Sequence, residues 1–383
     1  MVESAPLLRE YTLIAYRGFE SLSLRHHADT HIHAAYPPRH SPPLPTHRFM
    51  SNSLLEPLGV RSGRGRVHVG FLLCDTFAML PFISSVEPMR AANRYSDEHL
   101  YSWQIFSESG QTVVASNGLN VSVDNKFSNE WKLDRLIVCG PHNPQPASSP
   151  DTLRALRRLS GRGVRMGALD TGSYLLARAN IIGSRRCTLH WENMPGFRQE
   201  FPQITASNEL FEIDGNLFTC SGGDAALDMM LTIVADDHSQ ELASKAAELF
   251  VHSTIRNSNE SQRMSVVERD GIFHPKLVSA IELMEANIDT PLRSEELANM
   301  VNLSKRQLER LFRSHLNATP TMHYQQIRLR AGHNLLLQTS MSVLEIADAC
   351  GFSSADHFSK RFRAFFGQSP TDLRQRHFGK RRG

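Results

Sequence analysis

A chain of 383 residues is long enough for two or three domains, each burying its own core. Hydrophobic residues are 40% and charged residues 21%, as in ordinary globular proteins, and no apolar run reaches the roughly 18 residues of a membrane span. The net charge of +3 hides an asymmetry, because from Ile272 onward 16 Lys and Arg face 10 Asp and Glu, against 26 and 29 before it. A basic C-terminal third on a slightly acidic body points to a polyanion-binding module joined to something else.

Residues 1–63 read as a poorly ordered extension in which HHADTHIHAAYPPRHSPPLPTH mixes His, Pro and small residues without periodicity. His26, His27, His31 and His33 lack an acid or Cys to complete a metal set, so no metal is expected. The first 22 residues carry acids and no apolar core followed by small residues, unlike a signal peptide. Cys74, Cys139, Cys187, Cys220 and Cys350 form no CxxC pair. That usage suits a reducing compartment, and a cytoplasmic location is expected.

The first domain is placed at 64–255. VHVGFLLC (67–74), YSWQIFS (101–107), NVSVD (120–124), DRLIVCG (134–140) and GVRMGALD (163–170) read as strands, the apolar ones buried on both faces. CTLHW, LFEIDG and LFTCSG add shorter strands. Helices are expected up to Asn93, over 149–160, over TGSYLLARANII up to Gly183, and over DAALDMMLTIVADD and QELASKAAELFVHST. Such alternation predicts an α/β domain with a mainly parallel sheet sandwiched by helices. Within it, GALDTGSYLL ends a strand, holds up one polar side chain at a sharp turn and starts a helix on Gly172. Hydrolases mount a Ser or Cys nucleophile at such a turn, whereas here the residue is Asp170. A carboxylate attacks acyl groups poorly, while a thiolate owes its reactivity to a tunable pKa.

RNSNESQRMSVVERDG (256–271) is polar and aperiodic, hence a linker. Residues 272–383 form an all-α domain that repeats. Leu308 and Phe358, Phe312 and Phe362, and Pro320 and Pro370 match at an offset of 50. Each copy runs helix, turn, helix, near 294–316 and 343–366. Asn302 and Gly351 sit at the tight turns, Ser304 and Ser354 cap the second helices, and Asn317 and Gly367 end them. The second helix of such a motif enters the DNA major groove. Leu308, Leu311, Phe312 and Leu316 face inward in the first copy, leaving Lys305, Arg306, Glu309, Arg310 and Arg313 outward. In the second, Phe358, Phe362 and Phe365 face inward, and Ala355, Asp356, Ser359, Lys360 and Arg363 outward. These ten outward residues are the candidate DNA contacts.

ADACGFSSADHFSKRFRAFFGQSPTDLR resembles the signature of AraC/XylS-type transcriptional regulators, and SEELANMVNLSKRQLERLFRSHLNATP their first motif. By that resemblance 322–340 is the helix joining the two motifs. VEPMRAANR (86–94), LDTGSYLLA (169–177), CTLHWE (187–192) and SGGDAALDMM (221–230) resemble the class I glutamine-amidotransferase-like superfamily that includes the PfpI peptidases. Together the two halves look like the GlxA-type AraC regulators, including regulators of glycine betaine, carnitine or arginine catabolism. The resemblance implies that a Cys of catalytic relatives is replaced by Asp170, and that His190 stands where they keep a His.

The resulting expectation is a ligand-responsive, DNA-binding transcription regulator, an activator of a catabolic operon, with no catalytic residues and no cofactor. Its effector is a small amine or quaternary ammonium compound held by Asp170, Thr171, His190, Trp191, Tyr174 and Cys139. Trp191, Tyr174 and Trp103 are the candidate cation–π faces. The implied partners are promoter or operator double-stranded DNA, RNA polymerase and a second copy of the chain, with no membrane. The alternatives are a hydrolase or amidotransferase-like enzyme fused to a DNA-binding module, and a ligand-independent architectural DNA binder.

Overall fold

The computed structural model describes residues 65–144 and 148–379. The predicted extension, with His26, His27, His31 and His33, lies outside them. The chain begins with β1 (Val67–Leu73), α1 (Met79–Tyr95), β2 (Tyr101–Ser107), β3 (Val113–Val114), β4 (Asn120–Val121) and β5 (Asn125–Lys126). It continues with β6 (Arg135–Cys139), α2 (Pro150–Gly161), β7 (Arg165–Leu169), α3 (Gly172–Arg178) and α4 (Met194–Glu200). The domain closes with β8 (Phe211–Asp214), β9 (Leu217–Cys220), α5 (Ala225–Asp237) and α6 (Gln240–Leu249).

Seven strands form one sheet in the order β5-β2-β1-β6-β7-β9-β8, parallel except for the β8–β9 pair, while β3 and β4 form a separate hairpin. Alternation of side chains explains why the inner strands are apolar throughout. Phe71, Leu73, Ile137 and Cys139 enter the core under α1 and α5, and Leu72, Leu136 and Val138 enter the opposite core with Leu156, Leu159 and Leu175. The register aligns Leu73, Cys139, Leu169 and Cys220. Cys74, Gly140, Asp170 and Ser221 therefore emerge along one edge, the C-terminal edge where ligands of open α/β sheets bind.

Several expected elements differ. CTLHW makes one isolated bridge, Cys187 to Ala206, instead of a strand, because Thr188 spends its backbone N–H on the Thr219 hydroxyl. Only Asn120–Val121 of NVSVD is a strand, since Asp124 turns to bond the Ile105 amide through its carboxylate. The helix from Gly172 stops at Arg178, ahead of Gly183, because Asn180 already takes a left-handed φ of 54°. α4 was not foreseen; Pro195 in its first turn and Phe197 in the core place it.

The helical third holds α7 (Val266–Asp270), α8 (Pro275–Ala286), α9 (Ser294–Met300), α10 (Lys305–Leu316), α11 (Pro320–Gln338), α12 (Val343–Ala349), α13 (Ala355–Phe366) and α14 (Pro370–Gly379). α7 lies inside the stretch read as linker, because Val266 buries itself beside Leu277 and Ile281. Each helix-turn-helix has its own core, around Leu308 and Phe312 in one and Phe358 and Phe362 in the other. Asn302 (φ 53°) and Gly351 (φ 66°) make the turns, and Asn317 and Gly367 end α10 and α13 in left-handed conformation. A Cβ on Gly351 would also lie 2.6 Å from Pro291. Ser304 accepts from the Gln307 amide and Ser354 from the His357 amide.

One inward assignment is corrected. Phe365 is 38% exposed, and Phe366 turns in against His333 and Phe362. The offset of 50 explains it, since Phe366 stands 50 positions after the inward Leu316 and Phe365 after the exposed His315. α11 joins the two motifs, setting Tyr324 in the first core and Leu329, Leu335 and Leu336 in the second. Its 19 residues span about 28 Å. Arg328 clamps the second turn by donating to the Cys350 carbonyl at 2.7 Å and to the Gly351 carbonyl, with its guanidinium 4.3 Å over Phe352. Among the described residues no helix is long and apolar enough to cross a membrane.

Candidate functional site

Asp170 follows β7 with a φ of 57°, a left-handed conformation that a non-glycine residue adopts only where its surroundings enforce it. The enforcement is visible. Its amide donates to the Cys220 carbonyl at 3.0 Å. On the next strand, a Cβ at Gly140 would lie 2.1 Å from the Gly172 nitrogen, so the loop and the start of α3 close directly on bare backbone. The turn thus has the sharp strand-to-helix form that lifts a nucleophile in hydrolases, with a carboxylate at its tip.

Burial raises the Asp170 carboxyl above its ordinary range, and Glu192 adds to the rise. His190 and His142 pull it down, as does a backbone hydrogen bond from Thr171, but burial prevails. His142 was missed in the sequence; the signal was its place just after β6, at the same edge of the sheet. His190 Nδ1 lies 3.9 Å from Glu192 Oε2, and its ring is 5.6 Å from that of Trp191. The thiols nearby are poor nucleophiles. Burial holds Cys139 well above its usual pKa and pushes Cys74 and Cys220 up to about 12.

The predicted ligand set does not come together whole. Asp170 and His190 face one another electrostatically, with Trp191 beside His190. Thr171 is fully buried, its hydroxyl donating to the Pro141 carbonyl. Cys139 is only 2% exposed. Tyr174 is core: Phe197 and Phe201 pack on its ring, Arg178 lies 5.4 Å from its centroid, and its hydroxyl donates to the Asn193 carbonyl. Trp103 pairs with Val69, four residues before the strand end at Leu73, or about 13 Å from the Asp170 edge. Trp191 already holds a cation of the chain itself, the Arg263 guanidinium at 4.6 Å.

Arg263 belongs to the segment that joins the halves, 256–271, which reads in the sequence as a linker. Arg256 bonds the fully buried Asp228, Gln262 donates to Thr188 Oγ1 and the Leu189 and Glu209 carbonyls, and Arg263 and Arg269 pair with Glu285 on α8. α4 packs against α11. A cavity of about 660 Å³ opens between them, lined by Trp191 and Glu192 on one side and Arg330, Asn334 and Gln338 on the other.

Along the predicted nucleic-acid face, Lys305, Arg306, Arg310 and Arg313 of α10 are exposed, with Glu309 half-buried. Lys305 bridges to Glu295 on α9 at 2.9 Å. On α13, Asp356, Lys360 and Arg363 are exposed, and Ala355 and Ser359 half-buried. Of the ten predicted contacts, seven are therefore exposed charged side chains, six of them basic.

Comparison with known proteins accounts for both halves. Residues 68–236 match the DJ-1/PfpI family and residues 297–376 match the helix-turn-helix domain. The chain is similar to the HTH-type transcriptional regulator GbdR of Pseudomonas aeruginosa, 42% identical over 307 residues, covering 80% of this chain and 84% of that one. It is 37% identical over 309 residues to the HTH-type transcriptional regulator GlxA of Rhizobium meliloti, covering 80% and 95%. It is 33% identical over 114 residues to the HTH-type transcriptional activator RhaS of Escherichia fergusonii, covering 30% of this chain and 41% of that one. With a parallel-sheet domain that carries Asp170 at the strained turn, followed by paired helix-turn-helix motifs, the chain belongs to the transcriptional regulators that join a DJ-1/PfpI domain to an AraC-type DNA-binding domain.

Proposed function

We propose that the α/β domain is a non-catalytic sensor whose Asp170 holds the positive nitrogen of a small amine or quaternary ammonium compound, and that its occupancy controls transcription through the paired motifs. The observation that carries this reading is the Asp170 turn. The geometry of a nucleophile is kept, the side chain is a carboxylate, and burial keeps the neighbouring thiols protonated. A desolvated carboxylate gains most from a cation. With Tyr174 in the core and Trp103 at the far end of the sheet, the charge of Asp170 and Glu192 carries recognition, with Trp191 at its margin.

The ten outward residues of α10 and α13 are the DNA contacts in this reading, and two copies of the chain meet a promoter with RNA polymerase. Activation is the favoured sign, on the likeness of about a third of the chain to a protein named an activator. The test is calorimetric titration of glycine betaine into the wild type and Asp170→Asn, beside a DNA mobility assay. The variant keeps the shape and removes the charge, and losing the counter-charge of a desolvated pair costs about 2–5 kcal/mol. Affinity falls well over tenfold while ligand-free DNA binding persists. Equal affinity in both proteins sinks the assignment, and steady turnover of glutamine or peptides abolished by Asp170→Ala replaces it with an enzyme.

A further inference from the structure

The cavity between the α/β domain and the helical third has the size and the unmet chemistry of a second binding site. Its volume of about 660 Å³ lies within the range of small-molecule pockets. One wall is Trp191 with the start of α4. The other is a single face of α11, where His323, Ile327, Arg330, Asn334 and Gln338 recur at three- and four-residue spacing. Neither Asp170 nor His190 lines it.

The first unmet demand is for negative charge. Among the described residues, Arg198, Arg263, Arg269 and Arg330 line the cavity beside two carboxylates, Glu192 and Glu285. Glu285 is shared by Arg263 and Arg269, each at 2.9 Å. Arg198 donates to the Ala206 carbonyl at 2.8 Å and to Asn208 Oδ1 at 3.3 Å, and among the described residues neither it nor Arg330 has a carboxylate partner. The second demand is for donors. Gln262 Nε2 donates to three acceptors at 2.8–3.1 Å, which fixes the orientation of its amide. Among the described residues its Oε1 is then left buried without a donor, and so is Gln338 Oε1 on the opposite wall. Buried acceptors are normally paired, so two in the walls of one cavity call for N–H groups.

We propose that this cavity binds a small zwitterion whose carboxylate meets Arg198 and Arg330 and whose N–H-bearing ammonium serves the side-chain oxygens of Gln262 and Gln338. An occupant touches the sensor and the helix that spaces the two DNA-binding motifs at once, so its binding free energy couples directly to their arrangement. The site adjoins the one at Asp170, sharing Trp191 and Glu192 with it but neither Asp170 nor His190, and it asks for N–H groups, which a quaternary nitrogen does not have.

The series glycine, N-methylglycine, N,N-dimethylglycine and glycine betaine keeps the carboxylate and removes the N–H groups one at a time. Each is titrated calorimetrically into the full chain and into Arg330→Glu, Gln338→Leu and Asp170→Asn. In the wild type, glycine binds in a mode whose affinity falls with each methyl. Arg330 is exposed and among the described residues has no hydrogen-bond or ion-pair partner, and Arg330→Glu weakens glycine about tenfold or more. Gln338→Leu flattens the dependence on methylation, and Asp170→Asn leaves glycine unchanged. A wild type that binds no glycine, glycine affinity untouched by Arg330→Glu, or glycine binding lost in Asp170→Asn each overturns the separate cavity. Loss of betaine binding in Asp170→Asn with the glycine mode intact supports two sites.

Discussion

Removing the guanidinium of Arg256 tests the joint between the α/β domain and the segment that leaves it. Asp228 on α5 is fully buried. Its carboxylate accepts from the Arg256 amide and Nε, both at 2.8 Å, and lies 2.8 Å from His252 Nε2. Arg256 Nη2 adds close ion-pair contacts to Asp228 at 2.7 Å and Asp224 at 2.9 Å, off the N–H axis, so Nε carries the directed side-chain bond. Arg256→Met keeps the aliphatic stem and the backbone amide. Breaking a buried pair by removing one partner costs about 3–5 kcal/mol, and because the amide and His252 still face Asp228, the lower end, about 3 kcal/mol, is expected here. For a domain of this size that corresponds to a melting point lower by roughly 6–12 °C. Urea and thermal unfolding of wild type, Arg256→Met and the double variant Asp228→Asn/Arg256→Met measure it. The double variant recovers much of the loss, because no unpaired buried charge remains. A loss under about 1 kcal/mol in the single variant, or no recovery in the double, refutes the claim that a desolvated ion pair anchors the joint.

Two further outcomes are expected. Arg306→Ala lowers affinity for the cognate DNA site by about 1–3 kcal/mol and relaxes discrimination at one base pair; equal weakening on random DNA in a competition mobility assay makes the contact one to phosphate. The second concerns pH. Burial alone would raise the Asp237 carboxyl, but its bond and charge interaction with Arg135 outweigh burial and hold it below 3.8, with Tyr101 donating at 2.7 Å. A group depressed in the folded state stabilises above its unfolded pKa and loses that contribution as pH falls through the folded one. The melting-point gap between wild type and Asp237→Asn should therefore hold from pH 7 to 5 and shrink below about pH 4, and a gap that widens on acidification refutes it.

The helical third was legible almost residue by residue because its signals are local. A duplicated pattern with caps and left-handed turn residues determines backbone angles within one helical turn, and Asn302, Gly351, Asn317 and Gly367 adopt them. The one slip, Phe365 for Phe366, came from helical spacing alone where the repeat offset was the stronger guide. In the α/β domain the main strands along the chain, the mainly parallel sheet and the Asp170 turn followed from apolar runs and small residues. What was not legible depended on contacts distant in sequence. Tyr174 reads as an aromatic beside Asp170, and only the packing of α4 shows its ring spent on Phe197, Phe201 and Arg178. The stretch 256–271 is polar and aperiodic because its residues bond outward to two domains instead of to each other, a pattern that sequence periodicity reads as loop.

That joining segment and the loop after Leu189 meet at one side chain. His190 and Glu192 bear on the charge of Asp170, and between them Trp191 stacks on Arg263, which pairs with Glu285 on α8 of the first DNA-binding core. The same loop runs into α4, which rests on α11 between the two motifs. A cation–π contact of a half-buried pair is worth about 0.5–2 kcal/mol, and couplings between allosteric sites are commonly about 1–3 kcal/mol. Under the proposed function, the Trp191–Arg263 contact is of the right size to carry part of such a coupling and to be exchanged for a ligand cation at the same ring. The chain thus keeps the sharp strand-to-helix turn with a carboxylate on it, and links the loop beside that carboxylate to its own DNA-binding half through Trp191, Arg263 and Glu285.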